Sequence, residues 1–214
     1  MKKILLRILM AIGIFILILV INLVLFNLTA SRITEGVPIT ATGSGQSALL
    51  VLDLQEGSTG EASANDSYKK QSQDLIMKVN QLVKEAREKD WPVIYVRSEV
   101  VNPLINILNN TMARGSEGAK IDGRLIPGSD YIVTKRKNDS FRGTELDEIL
   151  EENQVERLVI VGLDAEHCVF SAIQAALNRG YEVAAVPEGI IAVEEADKIR
   201  MIGEYRELGV EIIE

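Results

Sequence analysis

Leu158-Val-Ile-Val-Gly162, running on into Leu163-Asp-Ala-Glu-His-Cys168-Val169-Phe170, is the stretch that decides the fold. Its first five residues are an apolar, β-branched run closed by glycine, the pattern of a parallel strand buried on both faces. A short loop leads into Val169–Leu177, whose spacing predicts a helix ending at Asn178-Arg-Gly180, where glycine can take the C-cap. The only cysteine of the chain falls at this strand-to-helix turn. Unpaired N–H groups and a partial positive charge at a helix start bias a thiol toward thiolate. A lone free cysteine is equally a small core residue, so both readings stand at this point.

Outward from that turn, strands and helices alternate. Ala48–Asp53 reads as a buried strand ending in a carboxylate, and Gln55–Ser67 as a Gly- and Ser-rich loop. Between Tyr68 and Lys89, Leu75, Ile76, Val79, Leu82, Val83 and Ala86 recur at helical spacing. Pro92–Arg97 is the next strand, Leu104–Leu108 a short helix, Asp130–Lys135 a strand, and Thr144–Glu152 a helix with Thr144 as N-cap. Strands at Glu182–Val186 and Val210–Ile213 flank a helix over Val193–Leu208. Repeated β-α units of this kind specify one three-layer α/β/α domain with a mostly parallel, Rossmann-like sheet over residues 48–214.

The N-terminus carries a separate signal. Met1–Arg7 is basic, and Ile8–Leu28 is apolar apart from Asn22 and Asn27, long enough to cross a bilayer as a helix. A cleaved signal peptide has a similar charged start, but this apolar run is long and no small-x-small cleavage site follows. Residues 1–30 are therefore expected to be a transmembrane anchor and residues 31–47, with their glycines and Pro38, a flexible tether. Lys2, Lys3 and Arg7 before the span, against Arg32 after it, place the N-terminus in the cytoplasm and the domain outside.

Composition excludes other classes. With Lys+Arg 23 against Asp+Glu 31, the formal net charge is −8 and no basic stripe offers a nucleic-acid surface. One cysteine permits no internal disulfide, and one histidine cannot furnish a His-based metal site, so the expected chemistry needs no metal or cofactor. In sheets of this type ligands bind beyond the carboxyl ends of the strands. Asp53 ends the first strand, Lys135 ends the third, and Cys168 follows the fourth, which brings an acid, an amine and a thiol to one edge.

These residues lie in three motifs: Ala48-Leu-Leu-Val-Leu-Asp53-Leu-Gln55, Lys135-Arg-Lys-Asn-Asp-Ser-Phe141-Arg-Gly-Thr144 and Gly162-Leu-Asp-Ala-Glu-His-Cys168-Val169. With Gly115–Leu125, and in this order, they resemble the isochorismatase-like cysteine hydrolases, which include nicotinamidases and N-carbamoylsarcosine amidohydrolases. The resemblance runs from about Ser47 to the C-terminus. It implies an Asp53–Lys135–Cys168 triad that cleaves a C–N bond of a small amide or ureide through a thioester. It also implies an oxyanion hole from the backbone N–H groups of Asp164 and Cys168, a cis peptide at Leu163–Asp164, and homo-oligomers as in other members.

Departures from the family narrow the expectation. Nicotinamidases hold a metal with histidines after the second strand, where this chain reads Val96-Arg-Ser-Glu-Val-Val-Asn102. Isochorismatases proper cleave a vinyl ether without a cysteine nucleophile, so Cys168 favours amide or ureide hydrolysis. The Asp164 carboxylate is expected to point away from the oxyanion, which it would otherwise repel. Gln55, Glu99 and Arg142 are candidate substrate-binding side chains, and His167 and Trp91 read as structural. Another class of protein, a membrane-anchored binding scaffold of the same fold without turnover, is the alternative. A thiol redox sensor lacks a resolving cysteine.

Overall fold

The computed structural model describes residues 2–40, 42–126 and 131–214. After α1 (Lys2–Ala30) come β1 (Gln46–Leu52), α2 (Asp66–Glu88), β2 (Val93–Ser98) and α3 (Pro103–Leu108). The chain continues through β3 (Tyr131–Lys135), α4 (Leu146–Glu152), β4 (Val155–Leu163), a π-helical turn (Ala165–Val169) and α5 (Phe170–Asn178). It ends with β5 (Glu182–Ile191), α6 (Glu195–Glu207) and β6 (Glu211–Ile212). The six strands form one parallel sheet in the order β3-β2-β1-β4-β5-β6. The order reverses between β1 and β4, the switch point where such sheets open a crevice.

Strand alternation divides the core into two layers. Leu50, Leu52, Ile94, Val96, Leu158 and Ile160 face α4, α5 and α6, while Leu49, Val51, Val93, Tyr95, Val159 and Val161 face α2. Both sets are almost wholly buried, which is why the central strands read as unbroken apolar runs. Helix α2 begins where the Asn65 side chain accepts the Tyr68 N–H at 3.1 Å.

Three expectations change in detail and a fourth lies outside the described residues. β5 does not stop at Val186: after a bulge around Pro187–Gly189 it resumes, with Ile190 and Ile191 paired to Gly162 and Leu163. Proline and glycine mark a break in the ladder here rather than the end of the strand. Glu145 rather than Thr144 occupies the N-cap of α4, although the Thr144 hydroxyl still accepts the Leu146 N–H at 3.3 Å. Asp130, the expected start of β3, lies outside the described residues. Finally, the expected flexible tether is strapped to the domain. Asp139 Oδ2 accepts Thr34 N–H at 2.8 Å and its hydroxyl at 2.7 Å, Ile39 N–H donates to Arg179 O at 2.8 Å, and Ile33 and Ile39 pack on the core.

Helix α1 is long and apolar enough to cross a membrane, a property that a signal sequence shares. It meets the domain near its C-terminal end. Asn138 N–H donates to Ala30 O at 3.0 Å, Arg142 donates to Thr29 O at 2.7 Å, and Lys137 Nζ bonds Thr29 Oγ1 at 2.9 Å.

Candidate active site

Three strand ends and one turn build the site. Asp53 leaves β1 with φ 57, a left-handed conformation uncommon for a residue with a side chain. Ser58 Oγ donates to Asp53 O at 2.6 Å and pins that bend. The Asp53 carboxylate is then shared between neighbours. Oδ2 lies 2.8 Å from Lys135 Nζ at the end of β3, and Oδ1 accepts the Ser98 hydroxyl at 2.8 Å at the end of β2. Lys135 is fully buried, and its ammonium also donates to Asn138 O at 3.1 Å. Half-buried Cys168 sits on the π-helical turn after β4, where Asp53 and Lys135 both act on its thiol.

Electrostatics follow from that crowding. Burial alone would lower the Lys135 pKa, but the Asp53 carboxylate beside it outweighs that and holds the ammonium above its ordinary range. Burial and the neighbouring Asp53 carboxylate push the Cys168 thiol up to about 12, against the pull of Lys135. The thiolate bias expected from a helix start is therefore overcome, and the resting site holds a thiol beside a carboxylate.

A consequence is measurable. The folded thiol binds its proton more tightly than an unfolded thiol of pKa about 8.5. The folded state then carries the extra proton, so stability falls as pH rises from about 8.5 toward about 12. Cys168→Ser removes that titration, and its thermal melts should decline less steeply over this range than those of the wild type. Equal alkaline losses in the two proteins would contradict the assignment.

The turn that carries Cys168 is braced from three sides. The peptide Leu163–Asp164 is cis. Asp164 Oδ1 accepts Glu166 N–H at 2.8 Å and Oδ2 accepts the Tyr68 hydroxyl at 2.9 Å, so both carboxylate oxygens are engaged by protein donors. Tyr205 donates to Ala165 O at 2.5 Å, and Arg200 pairs with Glu166. Burial, then Asp164, raises the Tyr68 pKa above its ordinary range and keeps that phenol a donor.

The candidate substrate-binding side chains fare differently. Gln55 is fully buried; its amide donates to Ser98 O and Ala119 O at 3.0 and 2.9 Å and accepts Ser98 N–H at 2.7 Å. It is a bracket between loops rather than a group free for a ligand. The Arg142 guanidinium is taken up by Thr29 O at 2.7 Å, because the end of α1 offers it unpaired carbonyls. Glu99 remains beside the site, its N–H bonded to Lys135 O at 2.9 Å and its carboxylate near Arg97 and Arg114 at 3.6 and 3.8 Å. His167 is exposed on the π-helical turn. Ser98 and Tyr68 are the contacts that sequence reasoning missed. Ser98 could have been found, since it ends β2 as Asp53 and Lys135 end their strands. Tyr68 carries no such signal, as its partner lies 96 residues away.

The isochorismatase domain model matches residues 47–214. The chain belongs to the isochorismatase family of hydrolases. An uncharacterized isochorismatase family protein of Bacillus subtilis, YrdC, is 29% identical over 146 residues, covering 68% of this chain and 73% of that protein. A probable inactive nicotinamidase of Arabidopsis thaliana is 26% identical over 155 residues, 63% of this chain and 74% of that one. Among solved structures, an N-carbamoylsarcosine amidase from Thermoplasma acidophilum superposes with TM-score 0.66 at 25% identity, covering 78% of this chain and 95% of its own. Among the described residues the donors of a nicotinamidase-type metal do not come together. Glu99 is engaged by two arginines, the sole histidine lies on another loop, and no group of three metal-binding side chains gathers among the described residues.

Proposed function

We propose that this hydrolase is a cysteine amidohydrolase for a small carboxamide or ureide, held at a membrane by α1 with its domain on the extracytoplasmic side. The observation that carries the reading is the buried Asp53–Lys135 ion pair at 2.8 Å, both of whose charges act on the Cys168 thiol. Cys168 attacks the carbonyl carbon while Asp53 accepts the thiol proton, which relieves the opposition between thiolate and carboxylate described above. Asp53 then delivers that proton to the departing amine and afterwards helps water open the thioester. Lys135 supplies the countercharge to Asp53, and the N–H groups of Asp164 and Cys168 receive the developing oxyanion.

The second reading, a scaffold without turnover, is favoured by the Arabidopsis relative described as probably inactive. One assay separates the two. The full chain in detergent is supplied with a panel of small amides and ureides, and ammonia release is followed with and without chelator. Turnover should survive the chelator and fall at least about 1,000-fold in Cys168→Ala. Equal turnover in the variant, or none on any substrate, would overturn the amidohydrolase.

A further inference from the structure

Helix α3 is a short apolar helix that its own domain covers only in part. Its sequence is Pro103-Leu-Ile-Asn-Ile-Leu108, no residue in it is fully buried, and Val101, Ile107 and Leu108 are 45%, 66% and 58% exposed. A soluble domain gains nothing by holding such side chains in water.

The neighbour of α3 explains them. It packs against α1, and a groove between the two is lined by Leu25, Phe26, Val100, Val101 and Leu104. Asn22 Oδ1 accepts the Asn102 side-chain N–H at 3.0 Å, so a polar residue inside the apolar run of α1 finds its partner on the domain. Asn22 lies eight residues before the last residue of α1, Ala30; at 1.5 Å per residue that is about 12 Å back along the helix axis. Around the end of α1 stand Arg32, Arg136, Lys137 and Arg142, a basic cluster on a chain whose net charge is −8. Apolar groups at depth with cations at the rim are the pattern of an element lying in a membrane interface.

We infer that α3 is a second membrane contact: Val101, Ile107 and Leu108 enter the acyl boundary of the leaflet on the domain side, with Arg136 and Lys137 at its headgroups. The inference rests on the reading of α1 as a membrane span. It turns the carboxyl edge of the sheet toward that leaflet, since β2 and β3 run directly into α3 and the basic cluster.

The test uses the full chain in vesicles of phosphatidylcholine and phosphatidylglycerol, with a brominated phosphatidylcholine as quencher. The native Trp91 precedes β2 at the opposite edge of the sheet, and the wild type, which carries it, serves as the reference sample. Ile107→Trp and, independently, Leu108→Trp in a Trp91→Phe background should emit to the blue and lose intensity in brominated vesicles, whereas Trp91 should not. A chain that resists alkaline extraction while both introduced tryptophans stay unquenched would overturn the α3 contact and leave the anchor standing. A blue-shifted but unquenched signal would give the face to a protein partner and also overturn it. Release of the wild type at alkaline pH would overturn the anchor, and the α3 contact with it.

Discussion

Replacing Lys135 with methionine should cost the fold about 3–5 kcal/mol and abolish turnover. Lys135 is 0% and Asp53 5% exposed, so neither charge has water to fall back on. Without the ammonium, Asp53 keeps the Ser98 hydroxyl at 2.8 Å but loses its countercharge. Asp53→Asn makes the opposite error and strands Lys135 beside the Asn138 carbonyl at 3.1 Å. The double variant Asp53→Asn/Lys135→Met removes both charges together. It should be more stable than the sum of the single losses allows, by about 0.5–3 kcal/mol, while remaining inactive. Urea unfolding followed by Trp91 fluorescence, with the amide assay alongside, measures both quantities. Additive losses would mean that the pair does not act as a unit.

Gly162→Ala should be as damaging for a different reason. A Cβ built at Gly162 would stand 2.1 Å from Leu52 O and 2.7 Å from Leu52 N, and the backbone there has φ +125. The obstacle is the neighbouring strand's backbone, so no side chain can swing aside. Leu52 pairs with Gly162 in the β1–β4 ladder and immediately precedes Asp53. Conformational strain and overpacking together should cost about 2–6 kcal/mol. Against a total stability of about 5–15 kcal/mol this threatens folding itself. Folded Gly162→Ala protein should also be slow, because prising β1 from β4 moves Asp53 relative to Cys168. Gly203→Ala in α6 is the control: nothing lies within 4 Å of its Cβ, and it should gain about 0.5–1 kcal/mol. Thermal melts that rank the two variants equally would refute the packing argument.

Much of this was legible from local pattern. The buried strands declared themselves as apolar runs, and the rule that ligands gather at strand ends singled out Asp53, Lys135 and Cys168 before any geometry was known. What stayed hidden depended on distant partners. The straps on residues 33–39 rest on Asp139, 105 positions after Thr34. Gln55 looked available as a polar residue near the site, yet three backbone groups from two other segments consume its amide. Pro187 reads locally as a stop, and only the pairing of Ile190 with Gly162 reveals that the strand continues.

The strap also adds residues 33–39 to what the domain holds in place. The family's shared region starts at residue 47, but a chain severed there would lack its own closing piece. Asp139, fully buried, would lose both groups of Thr34, and the core beneath Ile33 and Ile39 would be uncovered. Proteolytic shedding that cuts just after Ala30 would leave this piece in place and release a body that gives up its contacts to α1 but keeps the strap. A cut beyond Ile39 would release a damaged one, so on the proposed anchoring by α1 the few residues between helix and strap are where the domain parts cleanly from the membrane.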